Sequence, residues 1–223
     1  MEPLYPFFIA FIIIFLAELG DKTQLLVLSF TSKSKIRNII IGIAIGSFLS
    51  HGIAIIFGSS LGLLENVLIL HILKLLTYAT FLVLGIISFV PRIQNSQDRE
   101  NTFFKHLSNS SLNYTFIIAL CIMIGEIGDK TFLAALGLGV EYPHYKFSLI
   151  TGCILGMITS NSVAIMFGKF LEKYTSKKFI KFLSNVIFIL FGLLGILYEL
   201  WETFGDTSQK FLIFFPLGKK RTS

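Results

Sequence analysis

Six apolar runs, each near the length that a helix needs to cross a bilayer, account for most of this chain. They cover about residues 5–29, 38–60, 67–90, 113–138, 147–168 and 179–201, and roughly 20 residues suffice to cross the hydrocarbon. Of the 223 residues, 54% are apolar and only 14% are charged. This composition excludes a soluble globular domain. We predict an all-α, polytopic membrane protein with six transmembrane helices.

A polar segment that begins at Pro91 divides the runs into two sets of three. We expect a first three-helix repeat over residues 1–90, a cytoplasmic linker over 91–112, a second three-helix repeat over 113–201 and a C-terminal tail over 202–223. The first run has no basic flank and no cleavage site, so we expect it to be a retained span. The tail is interrupted by Pro216, which favours an interfacial position over a further crossing.

Basic residues lie between the apolar runs, so the net charge of +6 is interpreted as a topology signal and not as a nucleic-acid surface. The first, third and fifth loops hold most of them. Under the positive-inside rule these loops are cytoplasmic, and both termini are then non-cytoplasmic. The basic end of the tail fits this orientation less well.

A short acidic motif occurs twice, in the first and the fourth run. Residues 18–24 read ELGDKTQ and residues 126–132 read EIGDKTF, a spacing of 108 residues (126 minus 18). The next runs also match each other, with Gly42, Gly46, Ser50 and His51 answered by Gly152, Gly156, Ser160 and Asn161. Three spans per repeat insert the two copies from opposite sides of the membrane. We therefore predict two inverted repeats whose motifs meet near the midplane.

The motif supplies oxygen ligands. Its Glu and Asp are three residues apart, a spacing that places both on one face of a helix. Gly20 and Gly128 permit either close helix approach or local unwinding, which would free backbone carbonyls. Hard oxygen ligands suit Mn²⁺, Ca²⁺ or Mg²⁺ better than Zn²⁺ or Cu⁺. The candidate metal ligands are Glu18, Asp21, Thr23, Gln24, Glu126, Asp129 and Thr131.

Four carboxylates and two lysines leave two excess negative charges, which one divalent cation or two protons would balance. Crowded carboxylates in a low dielectric hold protons and can release them when a cation arrives, which gives a physical basis for exchange. Each lysine follows its glutamate by four residues, so we expect ion pairs within one helix. The candidate supporting residues around the ligands are Lys22, Lys130, Ser50, His51, Ser160 and Asn161. We expect Glu141 and Glu199 to lie at span ends outside the site, and His71 to be solvated near a loop.

With these two motifs in spans one and four, the chain resembles the Gdt/MneA family of cation transporters, whose hallmark is two copies of E-x-G-D-(K/R)-(S/T). The resemblance extends from the first span to the sixth. It implies transport of Mn²⁺, and in some members Ca²⁺, in exchange for protons, with the cation site on Glu18, Asp21, Thr23, Glu126, Asp129 and Thr131. Gln24 matches a common seventh position, whereas Phe132 departs from it and argues against a fully symmetric site.

Other functions remain open or are excluded. An intramembrane aspartyl protease requires Gly-x-Gly-Asp, which is missing here, so we expect no enzyme activity. A passive cation channel and a small-solute exporter remain alternatives. Cys121 and Cys153 are isolated, and no cofactor is expected. The expected partners are lipid, a divalent cation and protons, with the oligomeric state open. The expected location is a bacterial plasma membrane or a plastid envelope or thylakoid membrane. Ligand type does not separate Mn²⁺ from Ca²⁺.

Overall fold

The computed structural model describes residues 4–19, 21–87, 89, 113–174 and 177–214, without the side chains of residues 22, 25, 26, 167–181 and 202–214. Within these residues every regular element is helical. In chain order they are α1 Leu4–Glu18, α2 Lys22–Phe30, α3 Ile36–Gly62, α4 Val67–Ile87, α5 Tyr114–Glu126, α6 Lys130–Glu141, a 3₁₀ turn Pro143–Tyr145, α7 Lys146–Tyr174 and α8 Lys177–Phe214. The predicted linker lies outside the described residues.

Four segments in the described part are long and apolar enough to cross a membrane: Ile36–Gly62, Val67–Ile87, Pro143–Met166 and Phe182–Trp201. They coincide with the predicted second, third, fifth and sixth spans. Two further helices, Leu4–Glu18 and Tyr114–Glu126, are apolar but shorter. The protein is thus a helical, polytopic membrane protein. Helix α8 also continues past the predicted end of the sixth span, as far as Phe214.

The first and fourth apolar runs are each broken into two helices at the acidic motif. Helix α1 ends at Glu18 and α2 starts at Lys22, while α5 ends at Glu126 and α6 starts at Lys130. A backbone hydrogen bond spans each break, from Asp21 N to Glu18 O (3.1 Å) and from Asp129 N to Glu126 O (3.0 Å). The expectation that the Glu and Asp of each motif share one helix face is therefore wrong. Local unwinding, the other possibility that the glycines permit, is confirmed.

The helices of one half pack mainly on helices of the other half. Helix α1 packs on α7, and α5 and α6 pack on α3. Helices α3 and α7 contact each other, and α4 packs on α8. The broken helix of the first half thus lies against α7, and that of the second half lies against α3. This packing brings both breaks to the middle of the bundle.

Glycines set the register of these contacts. A Cβ added at Gly46 would lie 2.7 Å from the carbonyl oxygen of Ala119 on α5, and one at Gly156 would lie 2.8 Å from that of Phe11 on α1. Backbones that approach this closely have no room for a side chain. The packing role predicted for Gly42, Gly46, Gly152 and Gly156 is confirmed, since a Cβ at any of them would meet the opposite backbone.

We expect Gly46→Ala to lower the free energy of unfolding by about 2 kcal/mol, because the added methyl group forces α3 away from α5. Gly52→Ala is the matched control on the same helix. Its Cβ would meet only the Phe48 ring, at 3.8 Å, so this variant should be as stable as the wild type. Thermal unfolding in detergent micelles measures both, and equal unfolding temperatures for the two variants would contradict the close contact.

We expect Gly128→Ala to cost about 1 kcal/mol for a different reason, the left-handed backbone. Gly128 has a φ of +80°, and its Cβ would meet nothing within 4 Å. The penalty is therefore conformational and not steric. The same unfolding assay detects it, with Gly52→Ala again as the control, and an unchanged unfolding temperature would show that the break relaxes without strain.

Candidate functional site

The first helix of each half ends at a glutamate whose carboxylate is fully buried. Glu18 and Glu126 both have side chains with 0% exposure. The Thr23 hydroxyl donates a hydrogen bond to Glu18 Oε2 (2.8 Å), and the Thr131 hydroxyl donates one to Glu126 Oε2 (2.5 Å). Because each threonine lies just past the break, it holds the glutamate of its own motif in place.

The second oxygen of each glutamate is buried without a partner. Glu18 Oε1 and Glu126 Oε1 have no hydrogen bond within the described part of the chain. A buried, unsatisfied carboxylate oxygen is costly unless a proton or a cation binds it. Both halves therefore leave one acidic oxygen available at the same motif position.

The two motifs lie close enough to interact electrostatically. The Glu126 carboxylate is within electrostatic range of those of Glu18, Asp21 and Asp129. The Lys130 ammonium lies 3.4 Å from Asp21 Oδ2, so this ion pair joins the second motif to the first. The expected pairing of Lys130 with Glu126 inside one helix is wrong, because the break separates them. The Lys22 side chain lies outside the described part.

The cluster is not a preformed coordination sphere. Among the described residues, no three Asp, Glu, His or Cys side chains are arranged closely enough to hold a metal ion. The Lys130–Asp21 ion pair supplies a cationic group at this place instead. The arrangement is a buried acidic centre with a tethered lysine, in which a mobile cation would compete with the ammonium group.

Gln24 connects the first motif to the opposite half. Its side-chain amide donates to Ser160 Oγ (2.8 Å) and to the Ser160 carbonyl (3.1 Å) on α7. The second motif has Phe132 at this position, so the matching bond to Ser50 cannot form. Ser50 instead contacts His51 Nδ1 at 3.2 Å. The structure thus agrees with the asymmetry that Phe132 predicts.

His51 and Asn161 occupy matching positions on α3 and α7, and both are fully buried. Asn161 Nδ2 donates to the Met157 carbonyl (2.9 Å), and His51 Nδ1 lies 3.2 Å from Ser47 Oγ. His51 Nε2 and Asn161 Oδ1 have no partner among the described residues. Each half therefore adds one unsatisfied polar atom beside its serine.

A second group of charged residues, which the sequence did not predict, lies on α4, α6 and α8. His71 was expected to be solvated, yet its Nδ1 hydrogen-bonds Glu199 Oε1, and Glu199 is 0% exposed. Lys74 pairs with Glu141 and Glu199. The available signal was a histidine and a lysine three residues apart in the third apolar run, with a glutamate inside the sixth.

One protein family and several individual proteins are similar in sequence to this chain. The sequence model of the family described as "Divalent cation/proton antiporter GDT1" matches residues 6–96 and 115–203. The protein named "Putative manganese exporter" in Vibrio cholerae serotype O1 is 27% identical over 179 residues, which cover 80% of this chain and 84% of that protein. "GDT1-like protein 5" of Oryza sativa is 29% identical over 99 residues, 43% of this chain and 40% of the rice protein.

A plastid relative matches over a longer stretch. "Protein PAM71, chloroplastic" of Arabidopsis thaliana is 20% identical over 202 residues, which cover 82% of this chain and 54% of the plant protein. This chain thus spans about half or less of the two plant proteins and most of the bacterial one. No solved structure matches it. The family match covers both halves, including both acidic motifs and the helices that hold them, and the chain belongs to the GDT1 family of divalent cation/proton antiporters.

Proposed function

We propose that this protein exchanges a divalent cation, Mn²⁺ in preference to Ca²⁺, for protons at the centre formed by the two motifs. The observation that carries the proposal is the pair of buried glutamates, each with one oxygen bound by a threonine and the other unsatisfied. Their matching positions in the two halves provide two equivalent oxygens for one cation. The preference for Mn²⁺ is supported by the bacterial relative that is named a manganese exporter.

The cation site in this proposal consists of Glu18, Asp21, Thr23, Gln24, Glu126, Asp129 and Thr131. The four carboxylates bind the cation, the threonines position the glutamates, and Gln24 connects the site to α7 through Ser160. Since no three of these acidic groups converge in the described structure, binding requires Asp21 and Asp129 to move towards the glutamates. Release of Asp21 from Lys130 makes that movement possible and leaves the ammonium group to interact with another carboxylate.

Two protons replace one divalent cation with no change in net charge. With the cation absent, the buried carboxylates keep a high cost of ionisation and take up protons. With the cation bound, this cost is offset and the protons leave. The same carboxylates cannot bind the cation and the protons at the same time. This mutual exclusion is the condition for coupled exchange, as opposed to uncoupled flow of either ion.

The helix arrangement supports an inverted repeat with six crossings, in which each broken helix forms one span with its continuation. The packing of α1 on α7 and of α5 on α3 supports this plan. Broken helices that meet in the middle of the membrane are typical of secondary transporters. A passive channel would need no second, proton-loaded state, so proton-driven uphill flux distinguishes the two.

We expect Asp21→Asn to abolish Mn²⁺ transport, because the site loses a ligand charge and the partner of Lys130. Purified protein reconstituted in liposomes, with Mn²⁺, Ca²⁺ and Mg²⁺ compared with and without a pH gradient, measures this. Glu65→Gln, a change at an exposed glutamate outside the centre, is the matched control and should transport like the wild type. Transport by Asp21→Asn at the wild-type rate would overturn the site.

We expect Thr131→Val to weaken Mn²⁺ binding about tenfold, since second-sphere hydrogen bonds that orient a ligand have effects of this size. Thr131→Ser keeps the hydroxyl that donates to Glu126 and should bind nearly as the wild type does. Mn²⁺ titration followed by the quenching of protein fluorescence compares the two variants. If valine and serine give the same affinity, the hydroxyl does not position Glu126.

A further inference from the structure

Two buried polar side chains near the helix breaks have no part in the proposed site. His51 on α3 and Asn161 on α7 are both 0% exposed, and they hold matching positions in the two halves. His51 Nε2 and Asn161 Oδ1 have no hydrogen-bond partner among the described residues. A buried polar atom without a partner is costly and uncommon in folded proteins. Each of these atoms is therefore a candidate to bind a ligand that the chain itself does not supply.

Helix packing places His51 level with the break in the second half. A Cβ added at Gly46 would lie 2.7 Å from the Ala119 carbonyl oxygen of α5, and one added at Gly58 would meet the Leu136 carbonyl oxygen of α6. Helix α3 therefore runs beside α5 and then α6 in the same direction. His51 lies five residues after Gly46 and seven before Gly58. The same steps from Ala119 and Leu136 reach positions 124 and 129, which bracket the end of α5.

The matching contacts place Asn161 level with the break in the first half. A Cβ added at Gly156 would lie 2.8 Å from the Phe11 carbonyl oxygen of α1. Asn161 lies five residues later, and the same step from Phe11 reaches position 16, two residues before the end of α1. The adjacent Ser160 supports this level directly, because Gln24 at the start of α2 donates hydrogen bonds to it. Both unpartnered atoms thus belong to residues beside the breaks.

The contacts of His51 assign its ring proton to Nδ1 and leave the lone pair on Nε2. The imidazole hydrogen-bonds to the backbone of Ser47, whose carbonyl oxygen can only accept. Nδ1 also lies 3.2 Å from the hydroxyl oxygens of Ser47 and Ser50. The Ser50 hydroxyl donates its own proton to the Ser47 carbonyl (3.4 Å), so it accepts from Nδ1. This tautomer, inferred from the hydrogen-bond network, makes Nε2 an acceptor at the end of the ring that is farther from its own backbone.

Asn161 is oriented in the same way. Its Nδ2 donates to the Met157 carbonyl (2.9 Å), four residues earlier on α7, and its Oδ1 is left as an acceptor. In each half, one N–H group is thus anchored to the backbone one turn back, and the acceptor at the other side is free. Histidines that bind metals almost always donate their second ring N–H to a carbonyl, a carboxylate or water. The arrangement is therefore typical of ligands that are oriented before a metal binds.

Each half thus presents two buried acceptors beside its break. Glu18 Oε1 and Asn161 Oδ1 belong to the first break, and Glu126 Oε1 and His51 Nε2 belong to the second; all four lack a partner in the described part of the chain. Three of these atoms are oxygens and one is a nitrogen. Among the described residues no three acidic, histidine or cysteine side chains converge, so these ligands come together only when a cation binds.

We propose that His51 Nε2 and Asn161 Oδ1 are further ligands of the transported cation, and that the imidazole gives the site its preference for Mn²⁺ over Ca²⁺. This inference rests on the proposed function and names the residue that selects its substrate. Ca²⁺ binds oxygen ligands, whereas the divalent first-row metals, Mn²⁺ among them, also bind at sites that include nitrogen. A site with oxygens alone accepts both cations, so the single nitrogen is the atom that distinguishes them.

The first experiment looks for this nitrogen in the wild type. Purified protein in detergent micelles is loaded with Mn²⁺, and electron spin echo spectra record the coupling of the metal to nearby nitrogen nuclei. We expect a coupling that changes when the histidines carry the heavy nitrogen isotope. It should be absent in His51→Asn and present in His144→Asn, which changes an exposed histidine of the 3₁₀ turn. A wild type without histidine coupling overturns the proposal, and so does a coupling that His51→Asn retains.

The second experiment measures selectivity. His51→Asn gives the first half the side chain of the second half, so it can keep the bond to the Ser47 carbonyl. We expect the ratio of Mn²⁺ affinity to Ca²⁺ affinity, measured by competition in micelles, to fall about tenfold, the lower end of the effect of groups around a bound metal. Ca²⁺ affinity should not fall, because an amide oxygen replaces the nitrogen. Equal losses for both cations overturn the selectivity role, since His51 then serves helix packing.

Asn161→Ala tests the second ligand by itself. It removes an oxygen that both cations accept, so we expect Mn²⁺ and Ca²⁺ affinities to fall alike, by about tenfold, with the histidine coupling retained. Unchanged affinities for both cations would remove Asn161 from the site. If His51→Asn does not fold, as judged by thermal unfolding, the spectrum of the isotope-labelled wild type still decides whether a histidine binds the metal.

Failure of the proposed function gives a different pattern. If the wild type shows the histidine coupling but a pH gradient drives no Mn²⁺ flux in proteoliposomes, the exchange proposal fails and the ligand assignment stands. If the wild type exchanges Mn²⁺ for protons without any histidine coupling, the proposed function stands and the assignment of His51 fails. A wild type that binds no Mn²⁺ overturns both.

Discussion

The burial of two glutamates at the ends of broken helices is the constraint on which the rest of this structure depends. A carboxylate that is shielded from water needs hydrogen-bond or cationic partners. The fold supplies a partner for only one oxygen of each glutamate, the Thr23 hydroxyl for Glu18 and the Thr131 hydroxyl for Glu126. The helix breaks make this possible, since Thr23 and Thr131 can turn back to the preceding glutamate only where the helix is interrupted. The remaining oxygens stay unsatisfied, and this deficit is what a cation or a proton can fill.

Close helix packing keeps the two buried glutamates near each other. Glycines on α3 and α7 let these helices approach the backbones of α5 and α1, so that each break lies in the protein interior. Lys130 then reaches across to Asp21 and adds a positive charge to an otherwise acidic centre. The small residues, the breaks and the crossing ion pair therefore act together, because the removal of any one of them would expose or separate the buried charges.

A second group of charged residues joins the two halves at another place. Glu199 on α8 is buried and hydrogen-bonded to His71 on α4, which is partly exposed. Lys74 on α4 pairs with Glu141 at the end of α6 and with Glu199. These contacts link the third apolar run to the fourth and the sixth, so charge pairing connects the halves here as it does between Lys130 and Asp21.

Much of this could be read from the sequence. Run lengths predicted a helical membrane protein, and two copies of the acidic motif singled out Glu18, Asp21, Glu126 and Asp129 as well as the family. These features are local or periodic, and a lipid environment restricts the backbone so strongly that hydropathy nearly suffices. The difference between the two halves at Gln24 and Phe132 also followed from comparing two short segments, but the hydrogen bonds of Gln24 to Ser160 did not.

Only the tertiary structure decided how the charges are paired. The spacing of four residues predicted that Lys130 pairs with Glu126. The helix break separates these two side chains, and Lys130 pairs instead with Asp21 of the other half. Spacing gave no sign that Glu199 of the sixth run meets His71 of the third, because these residues are 128 positions apart. Charge pairing in a low dielectric depends on distances between helices, and these are set by side-chain packing that no local pattern encodes.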